Sequence, residues 1–226
     1  MAESRRERRR LRRGPLVLLA VVAAALVAAA LTGCGTSGGG SSASSDPLVG
    51  YWVGGGKGAQ MTLVQIQKNG ETYKVLANPD VPAGDAKKEG DTLVVDTHVV
   101  KLTFSPQAAD ELALEFTGDM FKKPVTVTLS RTDQNGYADA ATAYGLVAIR
   151  RGLAMWKAGG GKKYPPPGEV TPAGMLAKMI RWPTNMFTGQ PMQPGTGKGD
   201  YTYAQLDGGT GYSLVAYLSD GSTIGK

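Results

Sequence analysis

Cys34 is the only cysteine and His98 the only histidine in 226 residues. A nucleophile–histidine–acid set would have to use His98, which lies between "VVDT" and "VVKL" with no serine in an elbow motif. It is expected to be a turn or buried residue rather than a general base. The chain has no H-E-x-x-H motif and no paired histidines, so no zinc or copper centre is expected. Asp110 and Glu111 are adjacent, so on a strand their carboxylates point to opposite faces. The glycines of "VGGGKGAQ" (53–60) miss the spacing of a phosphate loop and precede no helix. No catalysis is expected, and the thiol of Cys34 is the group whose chemistry needs an account.

Its context supplies one. Leu16 to Leu31 is an unbroken apolar run of sixteen residues, preceded by Arg5, Arg6, Arg8, Arg9, Arg10, Arg12 and Arg13. A basic stretch, an apolar stretch of this length and small residues at its end read as a secretory signal. The competing reading is a membrane span, which needs about 20 apolar residues. Sixteen fall short of that, and no basic cluster follows. In either case the arginines hold their end in the cytoplasm and send the rest outside.

The four residues that close this run, Leu31-Thr32-Gly33-Cys34, resemble the lipobox of bacterial lipoproteins. The resemblance implies that the Cys34 sulfur takes a diacylglyceryl group and that cleavage leaves Cys34 as the first residue. Small neighbours let enzymes at the membrane surface reach the backbone. Two acyl chains meet the two-signal requirement for stable anchoring, at about 0.8 kcal/mol per buried CH2. The expected location is the extracytoplasmic face of the cell membrane. With Cys34 consumed, the exported body has no thiol, so neither a disulfide nor a thiolate metal site is expected.

The formal charge of +6 suggests an anionic partner, but residues 1–33 carry +5 of it and the rest of the chain only +1. A near-neutral body gives no reason to expect nucleic-acid binding. Four segments follow: the signal (1–33), Cys34 with a Gly/Ser tether (34–45), a small β domain (46–135) and an α+β domain (136–226). The tether "GTSGGGSSASS" reads as a flexible coil.

The elements follow from period and punctuation. About seven short antiparallel strands are expected, in "LVGYW", "QMTLVQIQ", "KNGETYKVLA", "DTLVVDT", "HVVKLTFS", "ELALEF" and "VTVTLSRT". Asn69-Gly70 signals a hairpin, and "NPDVPAGD" reads as a boundary. A small barrel or strongly twisted sheet is the expected outcome, because closure removes exposed edges. Over 136–158 the period changes: Leu146, Ile149, Leu153 and Trp156 recur at spacings of three and four and predict a helix. A second helix is predicted over Thr171–Ile180, with Thr171 as cap and Pro172 in its first turn. A Pro/Gly-rich loop leads to a last hairpin, "DYTYAQL" and "GYSLVAYL" joined by "DGGT". The fold class is α+β.

Two resemblances concern the body. "LVGYW", with Gly50 and Trp52, resembles the G-x-W opening of lipocalins and other calycin-like barrels, where the tryptophan plugs the closed end. The other reading makes Trp52 a core residue of some other small β fold. "GLAMWKAGGGKKYPPP", "RWPTNMFTGQPM" and "GDYTYAQLDGGTGYSLVAYLSDG" look like the globular head of type IV pilins and type II secretion pseudopilins. Matching positions are Leu153, Trp156, Tyr164, Pro165, Trp182, Pro183, Asn185, Phe187, Gly189, Tyr201, Tyr203, Tyr212, Leu214, Asp220 and Gly221. True pilins begin with an apolar helix that runs straight into the head. Here a lipid anchor, a tether and a β domain replace it, so fibre assembly by that family's route is not expected.

Pseudopilin heads often hold calcium after the last strand, which makes Asp200, Asp207, Ser219 and Asp220 the oxygen donors to consider. Calcium takes about six to eight oxygens. The favoured reading is turn formation in Asp207-Gly208 and Asp220-Gly221, with no calcium. Trp182, Asn185, Phe187 and Met192 mark the loop around 182–194 as the candidate partner-binding surface, since Trp and Tyr contribute heavily at interfaces. For Trp182 and Tyr203 a core role is the favoured reading. Together these features predict a non-enzymatic, membrane-tethered interaction or assembly protein with an unknown protein partner at the cell envelope. The alternative is a carrier with a small apolar ligand in the β domain.

Overall fold

The computed structural model describes residues 46–55, 61–78 and 81–226. The signal, the lipobox residues Leu31, Thr32, Gly33 and Cys34, and the tether lie outside the described residues. Eight strands come first: β1 (Gly50–Gly55), β2 (Met61–Asn69), β3 (Thr72–Ala77), β4 (Val81–Glu89), β5 (Thr92–Asp96), β6 (Lys101–Ala108), β7 (Glu111–Thr117) and β8 (Val125–Thr132). Each pairs antiparallel with the next, and β8 returns to β1 with Tyr51 opposite Thr132 and Gly54 opposite Leu129, closing a barrel.

The eighth strand corrects the expected seven. "VPAGDAKKE", read as a boundary, is β4. Pro and Gly weaken a strand but are tolerated at a bulge. The β3–β4 register does shift between Val75 and Leu76, so that Val75 faces Gly84 while Leu76 faces Pro82. Among the described side chains of the strand, those in the barrel core are Ala83 and Ala86, too small to raise the apolar period. Closure supplies the requirement that local pattern hides, since a meander returns antiparallel to its first strand only with an even number of strands.

Two of the hairpins share one turn. Gly70 and Gly90 both take φ of 62°, and Thr72 and Thr92 each donate a hydroxyl hydrogen bond at 2.9 Å, to the carbonyls of Asn69 and Glu89. Only glycine adopts that backbone without strain. The register pairs Asn69 with Thr72, so Gly70 and Glu71 form the turn and Asn69 ends β2.

The barrel is filled by its own side chains. Trp52, Val64, Ile66, Val75, Leu93, Phe104, Leu112 and Leu129 are among its buried core. Eight strands enclose a space that side chains can fill or that can hold one small ligand, and here the inward side chains pack on one another. One end is closed by the segment that enters β1. Fully buried Leu48 accepts at its carbonyl a 3.0 Å hydrogen bond from the Trp52 indole. Arg131, at the end of β8, lies over that indole at 4.2 Å from its centroid and donates to the carbonyls of Val49 (2.8 Å) and Pro47.

After the barrel, Asp133 caps helix α1 (Gln134–Ala158) by accepting from the Gly136 amide at 2.7 Å. Leu146, Ile149 and Leu153 are buried as the spacing predicts, and Trp156 is half-buried against the same cluster. The predicted second helix is corrected to one 3-10 turn, Met175–Lys178, preceded by another at Pro167–Glu169. Thr171 donates its hydroxyl back to the Gly168 carbonyl instead of capping forward. The Glu169 carboxylate accepts from the Met175 amide at 2.9 Å. Gly174 passes so close to the Glu169 backbone that a Cβ would lie 2.4 Å from it.

Two small antiparallel sheets complete the α+β fold. One pairs β9 (Thr184–Asn185) with β10 (Gln190–Pro191), and the other orders β11 (Tyr201–Leu206), β12 (Gly211–Tyr217) and β13 (Thr223–Gly225). The expected last hairpin is β11–β12, with Asp207–Gly209 as its turn, and β13 extends it. Among the described residues, barrel and helix belong to one compact unit. Strands β1 and β2 are apolar on both faces: Trp52, Val64 and Ile66 point inward, while Leu63, Tyr51 and Val53 meet Tyr137, Ala141 and Tyr144 of α1.

Candidate functional site

The loop 182–194 is built around Asn185, which is 1% exposed. Its amide donates to the Lys198 carbonyl at 2.8 Å and to the Asp200 carboxylate at 2.9 Å, and its oxygen accepts from the Phe187 amide at 2.9 Å. Three satisfied bonds on one buried amide fix a loop that has little regular structure. Gly199 makes this approach feasible. Its φ is 78°, and a Cβ there would sit 2.3 Å from the Asn185 oxygen.

The two ends of the loop are tied in the same way. The Trp182 indole donates to the Met192 carbonyl at 2.9 Å, and the Met192 amide donates to the Pro183 carbonyl at 2.9 Å. Met192 is fully buried beside Leu146 and Ile149. Trp182 is half-buried, its ring 6.1 Å from that of Tyr201. Asn185 and Met192 therefore hold the loop from within. Of the four candidates, Trp182 and Phe187 keep part of their surface in solvent, and the exposed crest is Thr188 to Pro191.

The tyrosines of β11 serve the neighbouring loop. Tyr201 donates to the Val170 carbonyl, Tyr203 to the Pro165 carbonyl at 2.8 Å, and the Gln205 amide to the Tyr164 carbonyl. Burial pushes both phenols up, with Asp200 adding to the effect at Tyr201; Tyr203, beside Tyr212 and Tyr164, reaches about 12. Both stay protonated donors at neutral pH, as a structural role requires. Tyr203 therefore packs against the second core, the reading favoured for it.

The acidic candidates are engaged in loops and turns. Asp200 accepts from Asn185 and from the Gln193 amide at 3.1 Å. Asp207 stands at φ 49° in the β11–β12 turn, its carbonyl accepting from Thr210. Hydrogen bonds from Ser222 hold the Asp220 carboxyl below its ordinary range. Among the described residues, no three His, Cys, Asp or Glu side chains come together to hold a metal ion.

His98 sits exposed in the β5–β6 turn at φ 65°, its amide donating to the Asp96 carboxylate at 2.8 Å. With Val99, Lys101 and Asp119 it lines a shallow cleft of about 120 Å3. Small-molecule sites enclose roughly 300–1,000 Å3.

Two polar latches escaped the sequence reading. Asp46, buried at the plugged barrel end, accepts from the Tyr73 hydroxyl, from Lys68 at 3.1 Å and from the Leu48 amide at 3.1 Å, with Lys88 at 3.9 Å. Asp139 of α1 takes both the amide (2.7 Å) and the hydroxyl (2.5 Å) of Ser219 after β12. Apart from the Leu48 amide, two residues from Asp46, these partners lie 22 to 80 positions away and leave no local signal. No family model, curated protein or solved structure matches the chain.

Proposed function

We propose that the chain is a bacterial lipoprotein, anchored through Cys34 on the extracytoplasmic face of the cell membrane, that acts as a non-enzymatic interaction or assembly protein. Leu31-Thr32-Gly33-Cys34 behind a basic and apolar leader supports the anchor. The filled barrel carries the rest of the reading: Trp52, Tyr73, Phe104 and their neighbours occupy the space that a carrier would keep for an apolar ligand. The body then has its outer surface to offer, including the crest of the 182–194 loop, which is preorganised by Asn185 and costs little to order on binding.

Trp52 plugging one barrel end supports a calycin-like reading of the first half. A helix, the Tyr164-Pro165 loop, the Trp182–Gly189 loop and paired strands β11 and β12, in that order, support a pilin-head-like reading of the second. The test is native mass spectrometry on the exported body, residues 46–226, purified gently from its host. A clean apo mass, together with crosslinks from the 182–194 crest in the lipidated protein, is the expected result. An added mass of roughly a few hundred daltons, released on mild activation, would make the protein a carrier. Intact mass at Cys34 without a diacylglyceryl increment would remove the anchor.

A further inference from the structure

The near-neutral charge of the exported body conceals a segregation. Residues 150–181 carry Arg150, Arg151, Lys157, Lys162, Lys163, Lys178 and Arg181 against a single acid, Glu169. That is +6 within a body whose total from residue 34 onward is +1, so the remainder is net acidic by five. The structure gathers this segment on the distal half of α1. Leu176 and Ile180 seat on Gly152, where a Cβ would meet them at 3.2 Å. The Lys157 ammonium donates to the Lys162 carbonyl at 2.6 Å and lies 5.1 Å from the Tyr164 ring, which folds the 159–164 loop back onto the helix end. Glu169, the one acid, is spent on the Met175 amide.

The same segment exposes three methionines. Met155 is 44% exposed, Met175 47% and Met179 36%, where a helix on a globular surface ordinarily presents polar groups. Met155 lies one turn beyond Gly152 and four residues from exposed Arg151, on neighbouring positions of the helix surface. Met175 and exposed Lys178, three apart in a 3-10 turn, point the same way. Flexible, polarizable side chains set among cations suit a soft apolar boundary with negative headgroups.

We infer that the surface bearing Arg151 with Met155 and Lys178 with Met175, within this basic segment, docks on an anionic phospholipid surface. The inference rests on the Cys34 anchor for proximity alone. At about 3.3–3.6 Å per residue, the twelve residues 34–45 reach at most about 40 Å. That matches α1, whose 25 residues at about 1.5 Å each span about 37 Å. The tether therefore keeps the body within about that distance of the membrane. A soluble polyanion would reward the charges alone, whereas a bilayer also takes the methionines.

The test uses the compact unit, residues 41–226, which carries its own cores and lacks Cys34, so its outcome is independent of lipidation. The protein is sedimented with vesicles of phosphatidylcholine alone and of phosphatidylcholine mixed with phosphatidylglycerol. Binding is expected only with the anionic lipid, and is expected to fall as salt rises from about 0.05 to about 0.5 M. Arg151→Glu with Lys178→Glu should weaken it by about tenfold or more, each basic residue near such a surface being worth about 1 kcal/mol. Replacing Met155, Met175 and Met179 by Ser should weaken it several-fold, while Lys122→Glu on the barrel leaves it unchanged. All these positions are exposed, and an unchanged melting temperature checks the fold. Equal sedimentation with both vesicles, or with neither, overturns the inference. So does binding that soluble polyphosphate abolishes and the methionine variant retains, which would assign the face to an acidic polymer.

Discussion

Asp46 shows how one side chain secures a barrel end. Burial opposes its ionisation, but the hydrogen bonds from Tyr73, the Leu48 amide and Lys68, with the charge of Lys88, outweigh burial and hold its carboxyl below the ordinary range. A depressed carboxylate contributes stability that is complete above its unfolded pKa, about 3.9, and is lost as pH falls through the folded value. Asp46→Asn should therefore cost about 1–3 kcal/mol at pH 7 in urea unfolding. Its deficit relative to wild type should shrink as the pH is taken below about 4. A deficit that is constant from pH 7 to pH 2.5 would mean that the carboxylate's charge contributes nothing. The sequence marks Asp46 only as the first residue after the tether, because its side-chain partners Lys68 and Tyr73 lie 22 and 27 positions away. Asn185 was singled out by its motif, yet its burial depends on Lys198 and Gly199, which no spacing rule ties to it.

At the scale of elements, α1 is both a helix and a seat. Gly145 lies where Pro183 and Met192 cross it, and a Cβ there would come within 2.9 and 2.6 Å of them. An exposed Gly→Ala change in a helix gains about 1 kcal/mol. At Gly145 the overpacking should reverse the sign, giving a net loss of about 1–2 kcal/mol in denaturant melts and faster amide exchange in the 183–192 loop. A stabilised Gly145→Ala protein would show that the loop yields freely. The helix itself was legible, because Leu146, Ile149 and Leu153 recur at helical spacing and all three are buried. The predicted second helix was not sustained: the rule that read Thr171-Pro172 as a start cannot see Glu169 and Gly174 confining the segment to a single turn. Strand β4 was missed for the converse reason, since alanines at its inward positions leave almost no period to read.

For the molecule as a whole, the face between barrel and helix sets the cooperativity. Leu63, fully buried on the outer side of β2, meets Tyr137 and Ala141, and the Tyr51 and Tyr137 rings stand 5.1 Å apart. The Trp52 signal from the barrel should therefore unfold together with the Trp182 signal from the second half, when each is followed in the absence of the other tryptophans. Leu63→Ala should cost about 2–5 kcal/mol and separate the two transitions. Coincident transitions in that variant would mean that the two halves are coupled elsewhere. By itself, the sequence determined the α+β class, most of the strands, the span of α1 and the last hairpin, because alternation, helical spacing and Gly/Asp turns are properties of neighbouring residues. The reading of Cys34 as a lipid anchor also rests on a linear motif. Tertiary structure alone decided that the sheet closes on an eighth strand and that Leu63 and Val64 are both interior, on opposite sides of one strand. It also turned Asn185 and Met192 inward and seated Leu176 and Ile180 of the basic 150–181 segment on Gly152 of α1. Each of these depends on which distant segments meet, and a single chain's local pattern does not record that.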